Sequence, residues 1–361
     1  MTKKILIIGP FPLPVSGVSL ANEVIAKGLK NKGWDVKQIN TEFASGVSNS
    51  HGRISLGKIR FLESYLSSYK ILSTKIVYIT IGQSFLGVMK YLPFILFSKL
   101  LNRTLVVHLH GNYLLDEYTQ LKGFKKSIFR KVISMFDYGI VLSESLRKNF
   151  EPFLKADHIF ELYNFFENSL VVSEEELKKE KDYSGLKVVF LSNLIEEKGI
   201  NILLEAVAIN KEKGINIDVK VAGNLVAEND LTDLLTRSGV TYKGVVYGEE
   251  KKKLLRESNV FCLPTFYKME GQPISILEAM SLGNLILTTD HAGITDICKD
   301  ENAVFCTKRD ALDLAQKLEY LYYNPEIIAE KGMYNIAYSR KYFTEEKFMS
   351  NANALLEKCL D

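Results

Sequence analysis

One pattern limits this chain more than any other. Short apolar runs that end in glycine or a turn alternate with segments of helical periodicity, and the series starts twice. Lys4–Gly9 (KILIIG) is isoleucine-rich and ends in glycine. A proline-rich loop follows, then GVSLANEVIAKGLKNKG, where Val18, Ala21, Val24, Ile25 and Leu29 share one helical face. WDVKQIN, Lys75–Ile81, Thr104–Gly111 and Asp137–Ser143 read as further strands, and the last of them closes the first series. The second series opens at Leu186–Leu194 (LKVVFLSNL). It continues with an amphipathic helix ended by Gly214, the strands INIDVKVAGN and NVFCLPT, a helix between Pro273 and Gly283, and the strand NLILTT. Such alternation implies parallel sheets covered on both faces. Two starts imply two domains, and 361 residues exceed one ordinary core.

The sequence places an N-terminal Rossmann-like domain at 1–167, a C-terminal one at 168–335 and a helical tail at 336–361 that packs back on the first. The junction is expected in Val171–Gly185, a polar charge run without a core pattern. In sheets of this kind ligands bind beyond the carboxyl ends of the strands, so a cleft with the two domains facing each other is the expected site.

Composition narrows the class. Hydrophobic residues make up 47% and charged residues 25%, the values of a folded globular protein. The cysteines Cys262, Cys298, Cys306 and Cys359 lack metal-ligand spacing and suit a reducing compartment. The N-terminus has too short an apolar stretch for a signal peptide. Phe85–Leu101 is the most apolar region, but Lys90, Pro93 and Lys99 interrupt it, whereas a membrane span needs about 20 apolar residues. It reads as a buried helix or as one dipping into a membrane surface.

Charge is uneven. Residues 1–167 carry 22 Lys/Arg against 12 Asp/Glu, and the whole chain is only +3. In Leu121–Phe136, Lys122, Lys125, Lys126, Arg130 and Lys131 interleave with Phe124, Ile128, Val132 and Phe136 at helical spacing. A solvated basic face and a peripheral contact with anionic membrane are both open. No aromatic-plus-basic motif for nucleic acid is found.

The stretch FYKMEGQPISILEAMSLGN poses the chemical question, because Glu278 stands within an apolar helix. Pro273 suits the first position of that helix and Gly283 its end. The first-turn N–H groups of Ile274 and Ser275 form an anion site that Gly271 keeps open. Glu278, one turn on, leans back toward that site. A carboxylate there repels phosphate but accepts hydrogen bonds from hydroxyls, such as the two of a ribose. Glu270 can do the same for a sugar ring, while a solvated helix residue is the plainer reading of Glu278.

MEGQPISILEAMSLGN resembles the C-terminal signature of retaining glycosyltransferases of family 4, of GT-B fold, E-G-x-P-x-x-x-L-E-A-M-x-x-G. Glu270, Gly271, Pro273, Leu277, Glu278, Ala279, Met280 and Gly283 meet every fixed position. LPVSGVSLANEVIAKGLKNKGWDV is similar to the family's N-terminal glycine loop, FLSNLIEEKGINILLEAV to its diphosphate-binding turn, and VTYKGVVYGEEKKKLLRESNVFCLP to the segment passing the nucleobase. Asn164 matches the family's inter-domain asparagine.

The resemblance implies roles. Lys198 binds the donor diphosphate, Glu278 the ribose hydroxyls, and Glu270 with the backbone of Gly271, Gln272, Pro273 and Ile274 the sugar and phosphate. Val246 meets the base through its main chain, Gly17 lets its loop approach the phosphates, and His110 lies by the donor sugar. His110, Glu270 and Lys198 are the catalytic candidates. The family's G-R reads Ser192-Asn193 here, so Asn193 contacts the donor without supplying a charge; the doubled glycine reads Ser16-Gly17, and a late Glu reads Asp296.

The implied activity is metal-independent, retaining transfer of a hexose-type sugar from a nucleotide diphosphate sugar, a UDP-sugar first, by a front-face route. The chain lacks a D-x-D triplet, and no cofactor is expected. The implied acceptor is a glycan or lipid-linked sugar in bacterial cell-surface polysaccharide synthesis, on the cytoplasmic side and possible at the inner membrane face. A nucleotide-sugar epimerase of the same fold and a non-catalytic partner subunit are the alternatives.

Overall fold

The structure, a computed structural model, describes residues 3–42, 61–225, 235 and 238–360. It divides into two compact units: Met1–Asn164 with Met269–Gln272 and Glu346–Asp361, and Phe165–Lys268 with Pro273–Glu345. The unit limits 164/165 and 345/346 differ from the sequence limits 167/168 and 335/336. Residues 269–272 group with the first unit although both their flanks belong to the second.

The first unit holds a sheet of order β2-β1-β3-β4-β5-β6, parallel throughout. Its strands are β1 (Lys4–Gly9), β2 (Asp35–Asn40), β3 (Ile76–Thr80), β4 (Thr104–Leu109), β5 (Tyr138–Val141) and β6 (Ile159–Glu161). Ile5–Ile8 and Ile76–Ile79 are fully buried, as strands covered on both faces must be. β6 extends the series past Ser143, where the sequence closed it. It has three residues and too little pattern to stand out.

Helix α1 (Gly17–Asn31) starts with a capping box. Ser16 N–H donates to Ser19 Oγ at 2.8 Å, and Ser19 N–H to Ser16 Oγ at 3.2 Å. Phe85–Leu101 forms two helices, α2 (Phe85–Met89) and α3 (Leu92–Leu100), not one. They are followed by α4 (Leu114–Gln120) and α5 (Gly123–Ile133). The inward face of α5 is Phe129, Val132 and Ile133, and Phe124 is 80% exposed. Of the apolar residues interleaved with the cations, Val132 therefore faces inward and Phe124 outward. No helix among the described residues is long and apolar enough to cross a membrane.

The second unit holds β7 (Lys187–Leu191), β8 (Asp218–Ala222), β9 (Thr241–Tyr242), β10 (Val260–Leu263), β11 (Leu285–Thr288) and β12 (Ala303–Phe305). Their order, β12-β11-β10-β7-β8-β9, reverses direction between β7 and β10. That reversal is the topological switch point of a doubly wound sheet. Among the described residues its helices are α6 (Glu174–Glu180), α7 (Ile200–Glu212), α8 (Gly248–Glu257), α9 (Ile274–Ser281), α10 (Ala311–Tyr323) and α11 (Pro325–Tyr342). The expected junction Val171–Gly185 is therefore not a linker. It contains α6, with Leu177 buried, and lies inside the second unit.

The last helix, α12 (Glu345–Lys358), returns its body to the first unit. Trp34 Nε1 donates to Asn353 Oδ1 at 2.9 Å, Lys3 pairs with Glu357, and Met349 fills the space over Gly28.

In the second unit, Gly283 ends α9 at φ +75°, and α11 crosses it at Gly332. A Cβ on Gly332 would stand 2.5 Å from Gly283 O and 2.8 Å from the Tyr183 hydroxyl. Alanine in a helix interior is favoured over glycine by about 0.5–1 kcal/mol, but overpacking costs about 1–3 kcal/mol. The obstacle is backbone, so the clash wins. Gly332→Ala is expected to destabilise by about 1–2 kcal/mol in urea unfolding; equal or greater stability would refute this packing.

Candidate functional site

In the second unit the candidate residues gather at the carboxyl end of the sheet. Lys198 closes a one-turn helix after β7, and Gly199 follows it at φ +85°. A Cβ on Gly199 would meet Pro264 O at 2.3 Å, so this turn lies tight against the segment that leaves β10. Glu197 O fastens that segment, accepting from Phe266 N at 2.8 Å and Thr265 Oγ1 at 3.2 Å. Lys198 Nζ lies 5.1 Å from the Tyr267 ring centroid. The Arg309 guanidinium lies 4.4 Å from that of Phe266. Two cations therefore stand on neighbouring rings just past the switch point. Asn193 is exposed and Val246 is buried.

Pro273 is the N-cap of α9, with ψ 121°, and not its first helical residue. No side chain caps this helix; Ile276 N–H donates back to Pro273 O at 3.2 Å, and the N–H groups of Ile274 and Ser275, at the first two helical positions, face out of the helix end. Ile274 and Ser275 retain partial exposure there.

Glu278 is 4% exposed, so it is not a solvated helix residue. Nor is its carboxylate wholly open to hydroxyls. Lys251 Nζ of α8 donates to Glu278 Oε1 at 2.6 Å, and the same ammonium pairs with Glu167. Burial pushes the Glu278 carboxyl up to about 6, with Lys251 opposing the shift. Burial also works against the Lys251 ammonium, but Glu278 and Glu167 outweigh it and hold its pKa above the ordinary value.

The other candidates belong to the first unit. His110 follows β4, and Gly271 packs against its main chain; a Cβ there would meet His110 O at 2.8 Å. Gln83 fixes this place: its Oε1 accepts from Tyr113 N at 2.6 Å, and its Nε2 donates to Met269 O at 3.1 Å. Asn164 holds Gln272 at two points, donating from its N–H to Gln272 Oε1 and from Nδ2 to Gln272 O, both at 2.7 Å. Glu270 is 7% exposed. The His108 and His110 rings are 4.0 Å apart, and Tyr78 hydrogen-bonds His108 Nδ1. His110 Nε2 and Gln272 Nε2 are buried without a hydrogen-bond partner among the described residues. Burial drives the His110 ring down to about 3 and pushes His108 well below its ordinary value, with His110 adding to the latter. Gly17, the first residue of α1, is exposed.

Sequence reasoning missed Lys251, Glu167, Gln83 and Arg309. A signal for Lys251 was present. Lys251, Leu254 and Leu255 are the buried residues of α8, at i, i+3 and i+4. A lysine in the apolar phase of a helix needs a buried partner. A cavity of about 530 Å³ in the same unit lies by the amino ends of β7 and β8. Its cations are taken, Lys187 by Asp182, Lys220 by Glu257 and Arg256 by Glu176.

Residues 172–341 match the model of the family described as glycosyl transferases group 1. WcaL of Escherichia coli, named as a colanic acid biosynthesis glycosyltransferase, is 30% identical over 142 residues, 37% of this chain and 35% of its own length. AmsK of Erwinia amylovora, named as an amylovoran biosynthesis glycosyltransferase, is 28% identical over 128 residues, 32% of this chain and 30% of its own. The chain thus spans about a third of the length of these curated relatives. Among solved structures, sucrose-phosphate synthase from Thermosynechococcus elongatus superposes with a TM-score of 0.75 at 14% identity, over 99% of this chain and 98% of that one. Anabaena HepE in complex with UDP gives 0.72 at 16% identity, over 98% and 100%. At these identities the likeness is one of fold, the two-domain Rossmann-like α/β fold of GT-B glycosyltransferases.

The buried histidine makes a prediction about acid. The folded pKa of His110 lies below the unfolded value of about 6.5, so between the two the unfolded chain binds more protons. Stability therefore falls as pH drops from about 6.5 toward 3. Between pH 6 and 4, the wild type is expected to lose up to about 1.4 kcal/mol per pH unit more than His110→Asn. Parallel pH–stability curves from chemical unfolding would show that His110 is not held neutral.

Proposed function

We propose that this chain is a retaining, metal-independent glycosyltransferase. It moves a hexose-type sugar from a nucleotide diphosphate sugar, a UDP-sugar first, to a glycan or lipid-linked sugar acceptor in cell-surface polysaccharide synthesis. The observation that carries this reading is the placing of a buried carboxylate, Glu278, one turn inside an uncapped helix at the switch point that also bears Lys198. A helix N-terminus and a cation suit a diphosphate, and a carboxylate acceptor suits ribose hydroxyls. Relatives named for colanic acid, amylovoran and capsular polysaccharide synthesis support the acceptor class. In this reading Lys198 and the α9 N–H groups stabilise charge on the leaving diphosphate, and a phosphate oxygen takes the acceptor's proton. Glu270, Gly271, Gln272, Pro273 and Ile274 hold the sugar and phosphate, His110 lies by the sugar, and Val246, Gly17 and Asn193 complete the donor contacts.

The acceptor reading extends to a membrane surface. Phe124 at the start of α5 and Leu86 on the adjoining α2 are 80% and 76% exposed. Lys122, Lys125, Arg130 and Lys131 are exposed around them. Protruding apolar side chains amid cations fit an anionic lipid surface.

Two measurements test these readings. Thermal-shift screening against UDP, GDP and ADP should give stabilisation with one of them, about 2.7 kcal/mol at 100 times its dissociation constant. The shift should be lost in Lys198→Ala and Glu278→Gln; no shift with any nucleotide sinks the donor reading. Flotation with phosphatidylglycerol vesicles should carry the protein upward, and Lys125→Glu with Lys126→Glu should weaken that binding about tenfold or more, at roughly 1 kcal/mol per charge near the surface. A wild type that stays at the bottom of the gradient rules out this contact.

A further inference from the structure

Glu278 does not act alone. Its Oε1 is held by Lys251 Nζ at 2.6 Å, and Lys251 also pairs with Glu167. The three side chains come from separate elements: α9, α8 and the segment between β6 and the turn at Asn168–Leu170. Lys251 is 9% exposed and Glu278 4%, so bulk water does little of the solvation. Glu167 interacts with Glu278 as well as with Lys251. Glu167 keeps 26% of its side chain exposed, but a buried carboxylate this close to a second one does not stay ionised without a cation between them.

We propose that Lys251 is a positioning residue for the donor nucleotide: it grips one oxygen of Glu278, holds that carboxylate ionised beside Glu167, and fixes it as an acceptor for the ribose hydroxyls. The inference rests on the donor reading given above. An ionised carboxylate only accepts, whereas a protonated one turns an oxygen into a donor and loses half of its match to a diol. Gripping Oε1 also fixes the carboxylate plane, so the other oxygen has one direction in which to meet a ligand. Among the described residues, the charged groups that act on Glu278 are Lys251 and Glu167. From α11, which packs on α9, Lys331 donates to Asp300 O and Arg340 to Val172 O, so neither is offered to Glu278. Burial keeps the Glu278 carboxyl near 6 even with Lys251 in place, which puts loss of the cation within reach of neutral pH.

The test is calorimetric binding of UDP, GDP and ADP to the full chain from pH 5.5 to 8.5, using the tightest of the three. In Lys251→Met, the midpoint below which affinity falls should move up by at least about one pH unit, with a loss of about tenfold per unit below it and recovery at pH 8.5. Adding Glu167→Gln to that variant removes the like charge and should return the midpoint toward the wild type. Glu167→Gln alone should extend tight binding to lower pH. A purely structural lysine would lower affinity or stability without moving the profile, so parallel profiles in wild type and Lys251→Met overturn the inference. If Lys251→Met does not fold by circular dichroism, Glu167→Gln decides: an unmoved acid limb overturns it. A wild type that binds none of the three nucleotides overturns the donor reading itself, and this inference with it.

Discussion

The second unit depends on the parallel pairing of β7 with β8 on one side and β10 on the other. Parallel neighbours need crossovers, and here the crossovers leave β7 and β10 toward opposite sides, which opens the sheet at its carboxyl end. The two segments that emerge there are tied by Glu197 O and packed at Gly199 against Pro264. This tie sets the distance at which Lys198 and the approach to α9 are presented. Gly199 has two reasons to be glycine. Its φ is +85°, and a Cβ would enter the Pro264 carbonyl.

The fold was legible because parallel strands announce themselves as unbroken apolar runs. KILIIG, KIVYITI and LKVVFLSNL need no partner to be recognised. β6 was not legible, since Ile159–Glu161 is short and its partner β5 supplies the reason for it to be a strand. The helix that begins at Gly123 shows a different limit. A helix with aromatics at several phases admits more than one inward face, and here the contacts of Phe129 with Phe85, Tyr118 and Phe153 decide. Val171–Gly185 looked like a linker because one buried leucine among seven residues of α6 leaves no periodicity to detect.

In the site, single motifs were legible and their partners were not. The stretch around Glu270 and Glu278 carries its own spacing, but its two ends lie in different units. What holds Met269–Gln272 is Gln83 and Asn164, far away in sequence. Nothing local marks Gln83: a glutamine in a loop after a strand is ordinary until both ends of its amide are engaged. Lys251 was hidden differently, inside the run GEEKKKLLRE, where a charged sequence reads as a solvated face. Only the phase of Leu254 and Leu255 separates the inward lysine from Lys252 and Lys253.

The Glu167–Lys251–Glu278 cluster would be a poor choice for stability alone. Replacing buried ion pairs by well-packed apolar side chains is often neutral or stabilising, and removing one partner costs about 3–5 kcal/mol. The surroundings could support an apolar alternative, since Leu254, Leu255, Ile276, Leu277 and Ala279 are buried on the same two helices. A helix that keeps a carboxylate among such neighbours gives up stability for something a leucine cannot do. Of the groups at this end of the sheet, Lys198 and the helix N–H groups attract negative charge, and Glu278 repels it. In the proposed donor reading both are satisfied by an anion next to hydroxyl donors, the chemistry of a sugar nucleotide rather than of a simple phosphate. In the proposed arrangement Lys251, shared with Glu167, offsets part of the charge of Glu278 from behind without removing its acceptor oxygens.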